Sequence, residues 1–128
     1  MIGLDTNIVV RYLAQDDPVQ SPKATEIIER RITEDDLGFI SLVTMAETVW
    51  VLNRLYGLVD QEIASAVERM LQADTLVIQN EQEVFTAMIA LKMGQSSFAD
   101  ALIEALGTWA GCKSTLTFDK ESCETERL

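Results

Sequence analysis

Four carboxylates and the absence of histidine define the chemistry that this sequence can carry out. Asp5 and Asp119 each follow a short apolar run typical of a strand, whereas Glu47 and Asp100 lie near the start of segments with helical apolar spacing. The chain contains no histidine, which excludes the usual general base, a Ser-His-Asp triad and His-ligated zinc. Any catalysis must therefore use carboxylates, hydroxyls or lysine.

Each of these acids also has an ordinary structural explanation. Asp5 precedes apolar residues at helical spacing and is typical of a helix N-cap. Thr44-Met45-Ala46-Glu47 has the form of a capping box, in which Glu47 reaches back to the cap, and Ser97-Phe98-Ala99-Asp100 has the related form. Taken singly, none of these residues indicates a catalytic site.

Alternating apolar runs and amphipathic segments predict the element order β-α-α-β-α-α-β-α-α-β. The predicted strands are residues 1–4, 39–43, 75–79 and 114–118. This alternation predicts an α/β fold with three layers, α/β/α, and a central parallel sheet. A chain of 128 residues fits a single domain that spans 1–128.

In a parallel sheet, functional groups gather beyond the carboxyl ends of the strands. Asp5 and Asp119 follow strands, and a helix that leads into a strand of the same sheet begins at the edge where that strand ends, so Asp100 and Asp119 are expected neighbours. Clustered carboxylates repel unless a cation neutralises them, and hard oxygen ligands suit Mg²⁺ or Mn²⁺. The pattern therefore favours metal-assisted phosphodiester hydrolysis, in which the ion activates a water molecule.

Composition limits the classes of partner. The formal charge of −11, from 21 acidic and 10 basic residues, argues against broad, non-specific nucleic-acid binding. No apolar run approaches the roughly 18 residues of a membrane helix, and no basic region precedes an apolar segment at Met1, so we expect a cytoplasmic protein without a membrane partner. Cys112 and Cys123 fit neither a disulfide framework nor a zinc spacing, and reduced thiols are expected.

Four short motifs, in order along the chain, resemble those of the PIN-domain nucleases. They are Asp5-Thr6-Asn7, Glu47 in Met-Ala-Glu-Thr, Phe98-Ala99-Asp100-Ala101-Leu102 and Thr117-Phe118-Asp119. The match covers nearly the whole chain, and the size is similar to that of the VapC toxins of bacterial and archaeal toxin–antitoxin pairs.

The resemblance implies an Mg²⁺- or Mn²⁺-dependent endoribonuclease that cleaves RNA, forms a homodimer and is held inactive by a small VapB-like antitoxin. It implies catalytic and metal-binding roles for the four acids Asp5, Glu47, Asp100 and Asp119. Asn7 and Thr117 match polar positions that help to order such a site. Ser97 departs from the pattern, because many relatives have a further acid there, and the number of metal ions stays open.

Contacts to the RNA are less well defined by the sequence. Arg11, Arg54 and Lys120 lie near the motifs and are candidate phosphate contacts, although a solvated surface explains them equally well. Four aromatic residues at helical positions among apolar neighbours are expected to be core rather than base-stacking surfaces: Tyr12, Trp50, Tyr56 and Trp109.

Two other classes of function remain open. One is a PIN-like binding module with an inactive site, since a fold does not by itself imply an activity. The other is a phosphoryl-transfer domain with an aspartate nucleophile at Asp5. That chemistry needs a second acid or a lysine beside the nucleophile, and position 7 is asparagine.

Overall fold

A computed structural model of the chain describes residues 1–118 and the backbone of residues 126–127. Three short strands form one parallel sheet in the order β1-β2-β3: β1 (Ile2–Gly3), β2 (Gly38–Ile40) and β3 (Leu76–Ile78). The three strands are in register at Gly38 of β2, which pairs with Ile2 of β1 and with Leu76 of β3. The three strands therefore end at a common edge.

Six α-helices within these residues surround the sheet: α1 (Thr6–Ala14), α2 (Gln20–Glu26), α3 (Leu42–Arg54), α4 (Asp60–Gln72), α5 (Glu81–Lys92) and α6 (Phe98–Trp109). A π-helical turn, Ile27–Arg31, continues α2. The fold is the predicted three-layer α/β/α arrangement with a central parallel sheet.

The core explains why these elements form. Leu4, Ile40 and Ile78 lie at or just beyond the ends of the three strands and are buried, as are apolar residues that recur at helical spacing along α3, α4 and α5. Each fully buried aliphatic side chain contributes about 1.5–3 kcal/mol relative to an exposed one. A Cβ at Gly38 would lie 3.0 Å from Leu76 Cδ2, so a larger residue there would displace that leucine side chain.

The predicted fourth strand does not join this sheet. In the described part of the chain, β4 (Leu116–Thr117) pairs in parallel with β5 (Glu126–Arg127), and the two form a separate sheet. Leu116 is 58% exposed and Phe118 is 80% exposed, so this run offers no buried face to the core. The prediction that the run enters the central sheet was wrong. The proximity of Asp119 to Asp100 stays a prediction, because Asp119 lies outside the described residues.

Two further expectations from composition concern cysteine and membranes. Cys112 is exposed and takes part in no disulfide within the described residues, and Cys123 lies outside them. Among residues 1–118 and 126–127, no helix combines the length and apolar character that a bilayer crossing requires.

Candidate metal centre and adjoining cleft

Asp5 is placed at the carboxyl edge of the sheet by β1. The buried Leu4 anchors the end of that strand, and Asp5 caps α1 by accepting a hydrogen bond from the Ile8 backbone N–H through Oδ1 at 3.1 Å. The predicted N-cap role is thus confirmed. The bond uses one oxygen of an exposed carboxylate, so capping and cation binding are compatible at this residue.

Glu47 does not have the predicted capping role. Helix α3 begins at Leu42, three residues earlier than the capping box at Thr44 requires. Ser41 is the N-cap and accepts the Thr44 N–H at 3.1 Å, while the Gln79 side chain, just after β3, accepts the Leu42 N–H at 2.9 Å. The capping-box prediction was therefore wrong, and Glu47 is an exposed residue in the second turn of α3.

A hydrogen bond joins Glu47 to the residue that follows Asp5. Thr6 is the first residue of α1, and its hydroxyl Oγ1 donates to Glu47 Oε1. Because α1 and α3 both begin just after strands of the sheet, this bond lies at the carboxyl edge of the sheet. It holds Glu47 beside the residue that follows Asp5. Sequence reasoning missed Thr6, although it stands inside the Asp5-Thr6-Asn7 motif.

Asp100 lies in the first turn of α6. Ser97 caps this helix and accepts the Asp100 backbone N–H at 3.1 Å, as the sequence predicted. The half-buried Asp100 lines a cleft of about 560 Å³. Five residues of α3 also line it: Ala46, Val49, Trp50, Asn53 and Arg54. Asp100 therefore faces the same cleft as the α3 residues beside Glu47.

The remaining predicted site residues are less completely defined. Asn7 is exposed in the first turn of α1, and Thr117 is half-buried at the end of β4. Asp119 lies outside the described residues. Within the described residues, no group of three or more acidic or cysteine side chains is close enough together to hold a metal ion. The four-acid site therefore stays a prediction.

Arg11 is bound to side chains that are not among the predicted site residues. Its Nη1 lies 3.1 Å from Asp16 Oδ2 and 2.9 Å from the Tyr56 hydroxyl, and its Nε donates to Gln20 at 2.9 Å. The Tyr56 hydroxyl also donates to Asp16 Oδ2 at 2.6 Å. That hydroxyl, followed by the Arg11 guanidinium, lowers the pKa of Asp16. Arg11 thus belongs to an internal polar network that ties the loop after α1 to the end of α3.

Arg54 is the candidate phosphate contact that the structure places near a predicted acid. It is exposed and lines the cleft together with Asp100. Lys120 lies outside the described residues. Trp50, expected in the core, is instead 56% exposed and lines the same cleft. The reason is its position on α3, where the buried arc is formed by Met45, Thr48, Val49 and Leu52.

The fold and these residues define an α/β protein with acids at the carboxyl edge of a parallel sheet and beside the adjoining cleft. The family profile of the PIN domain matches residues 2–128. The chain therefore belongs to the PIN domain family, whose members are usually nucleases and typically use divalent metal ions. Comparison with curated proteins and with solved structures gave no significant match.

Proposed function

We propose that this protein is an Mg²⁺- or Mn²⁺-dependent endoribonuclease. The observation that carries the proposal is the hydrogen bond from Thr6 to Glu47. Glu47 caps no helix, yet it is held at the carboxyl edge of the sheet beside the residue next to Asp5. Carboxylates that bind a metal are typically oriented by a hydrogen bond from a neighbouring group. Glu47 is exposed, is oriented in this way and has no capping role, so it suits a metal ligand.

The donor set fits a hard divalent cation. The proposed ligands are four carboxylates, Asp5, Glu47, Asp100 and Asp119, and Mg²⁺ and Mn²⁺ prefer oxygen ligands. When bound, such an ion activates water for attack on a phosphodiester and stabilises the charge on the leaving oxygen.

The chain's own residues orient the acids. Thr6 fixes the direction of Glu47, and Ser97 fixes the turn that carries Asp100. Asn7 and Thr117 are proposed to order the same site.

Substitution of single acids tests the ribonuclease proposal. Asp100→Asn and Asp5→Asn keep side-chain size but remove a charged ligand, so cleavage of single-stranded RNA in Mn²⁺ should fall by orders of magnitude while circular dichroism is unchanged. Asp74→Asn is the matched control, because Asp74 is exposed just before β3, at the opposite edge of the sheet. Near-full activity in both site variants would refute the shared metal site.

We further propose that the protein is the toxin of a VapBC-type pair, that it forms a homodimer and that it acts in the cytoplasm. An antitoxin segment carrying arginine suits a carboxylate site, because a guanidinium binds carboxylates through two parallel hydrogen bonds. Expression of the chain should arrest growth, and co-expression of the adjacent reading frame should relieve the arrest. Arrest that persists in Asp5→Asn would contradict this role.

A catalytically inactive binding module is the second candidate. One observation favours it: the described acids form no group of three or more. Such a module would bind RNA without cleaving it in Mg²⁺ or Mn²⁺, and Asp100→Asn would leave its function unchanged.

A further inference from the structure

We propose that the cleft between α3 and the start of α6 binds one unpaired nucleotide of the RNA, adjacent to the phosphate that is cleaved. In this site Trp50 stacks on the base and Arg54 contacts a phosphate. The cleft has a volume of about 560 Å³ and is lined in part by Trp50, Asn53, Arg54, Asp60, Ser97 and Asp100. The inference rests on the proposed ribonuclease function, because that function supplies the RNA.

The cleft adjoins the proposed metal ligands on α3 and α6. Glu47, Trp50 and Arg54 are spaced i, i+3 and i+7, so they share one face of α3. Along the helix axis, Trp50 lies about 4.5 Å and Arg54 about 10 Å beyond Glu47. Asp100 lines the cleft from α6. An RNA strand whose scissile phosphate lies at the proposed metal-binding acids can therefore place the neighbouring nucleotide against the face of α3 that carries Trp50 and Arg54.

Trp50 presents exposed aromatic surface to the cleft. The indole is 56% exposed and lines the cleft. The cleft also has an apolar floor of buried residues, including Val49, Ile63 and Phe98. An aromatic face above an apolar floor suits a flat base, and stacking is available to every base because each has a π-face.

The cleft lining includes an arginine that can contact a phosphate. Arg54 is the basic residue among those that line the cleft, and the ion pairs within the described residues do not include it. Stacking does not depend on net charge, whereas non-specific nucleic-acid binding depends on many phosphate contacts. One stacked base and one phosphate contact therefore explain how a chain of charge −11 can hold RNA locally.

Stacking on Trp50 predicts a preference for single-stranded RNA. Bases in a duplex are already stacked on their neighbours, so Trp50 can reach only a base that is unpaired. Asp60, which also lines the cleft, opposes a phosphate by charge repulsion. Asp60→Asn is therefore expected to tighten RNA binding.

Trp50 can be observed directly, because the chain has two tryptophans. In a Trp109→Phe background, Trp50 is the only indole, and stacking on a base should quench its fluorescence. The probe is a single-stranded RNA of roughly eight nucleotides, within the usual range of single-strand sites. Measurement in EDTA separates binding from cleavage. Trp50→Ala should weaken binding about 5- to 150-fold, while Trp109→Phe alone should leave it unchanged.

The salt dependence of RNA affinity tests the phosphate contact of Arg54. The slope of log K against log salt concentration is negative, and loss of one phosphate contact to a single strand lowers its magnitude by about 0.7. Arg54→Gln should show this change. Arg30→Gln should not, because Arg30 is an exposed arginine on the π-helical turn and does not line the cleft.

Three outcomes separate this inference from the proposed function. If the parent cleaves RNA but Trp50→Ala and Arg54→Gln bind and cleave like the parent, the inference is wrong and the nuclease proposal stands. If the parent binds RNA through Trp50 but does not cleave it with metal, the nucleotide site stands and the nuclease proposal fails. If Trp50→Ala changes the sedimentation coefficient but not RNA affinity, Trp50 contacts another chain and the inference is overturned.

Discussion

The hydroxyl of Thr6 donates a hydrogen bond to Oε1 of Glu47, which lies 41 positions later in the chain. Thr6 begins α1, directly after the cap Asp5, and Glu47 lies in the second turn of α3. The bond therefore links two helices at the edge where β1 and β2 end. It also fixes the direction of a carboxylate that has no capping role.

Thr6→Val tests whether that orientation matters for metal binding. Valine keeps the branched shape but cannot donate a hydrogen bond, and loss of a partner that orients a metal ligand typically lowers metal affinity or activity 10- to 100-fold, an order-of-magnitude estimate. Mn²⁺ affinity should fall by about that factor, measured by calorimetry. Thr6→Ser retains the hydroxyl and should restore most of the affinity. Equal affinities in the parent and Thr6→Val would show that the bond is incidental.

Metal binding should also stabilise the folded chain. A ligand at about 100 times its dissociation constant adds about 2.7 kcal/mol to the free energy of unfolding. For a chain of this length, that corresponds to a rise of roughly 8–14 °C in melting temperature. Glu47→Gln should lose most of the response to Mn²⁺, whereas Asp74→Asn should retain it. A parent protein whose melting temperature is the same in EDTA and Mn²⁺ would contradict the metal site.

Local rules were sufficient for much of the fold. The N-cap roles of Asp5 and Ser97 and the three strands of the central sheet followed from capping preference and apolar spacing, because neighbours in sequence determine these features. The three-layer architecture then followed from the alternation of strands and helices.

Features that depend on distant residues were not predictable in this way. Ser41 and Thr44 can both cap a helix. The position of β2 favours the earlier start, as does the hydrogen bond that the Leu42 N–H donates to the Gln79 side chain, 37 residues away. The exposure of Trp50 likewise depends on which arc of α3 meets the core. A single sequence does not encode these choices in any local pattern.

Thr48→Val is predicted to stabilise the protein. The Thr48 side chain is fully buried on α3, and the described residues supply no hydrogen-bond partner for its hydroxyl. A buried polar group without a partner costs roughly 1–3 kcal/mol, and valine replaces it with a methyl group of similar size. The free energy of unfolding in urea should rise by about 1 kcal/mol. Thr86→Val is the control and should bring no gain, because Thr86 is exposed and its hydroxyl donates to Gln82. A loss of stability in Thr48→Val would mean that the hydroxyl has a partner.

The network around Tyr56 should make stability depend on pH in two ranges. The Tyr56 hydroxyl, and then Arg11, lowers the pKa of Asp16 in the folded protein. A lowered pKa adds stability above the unfolded value of about 3.9, and that stability is lost as pH falls through the folded pKa. The hydrogen bond to Asp16 also raises the pKa of Tyr56. That contribution is complete below about pH 10 and is lost as pH rises through the folded pKa.

Tyr56→Phe should therefore be less stable than the parent at neutral pH, and the difference should shrink both in acid and in alkali. Urea unfolding at neutral pH, below about pH 3 and above about pH 10 measures this directly. Asp17→Asn is the control. Backbone N–H groups of Gln20 and Val19 lower the pKa of Asp17. Asp17→Asn should therefore be less stable than the parent at neutral pH, with a difference that shrinks in acid but does not change in alkali. A difference between parent and Tyr56→Phe that is constant over the whole range would show that the phenol contributes by packing and not through its bond to Asp16.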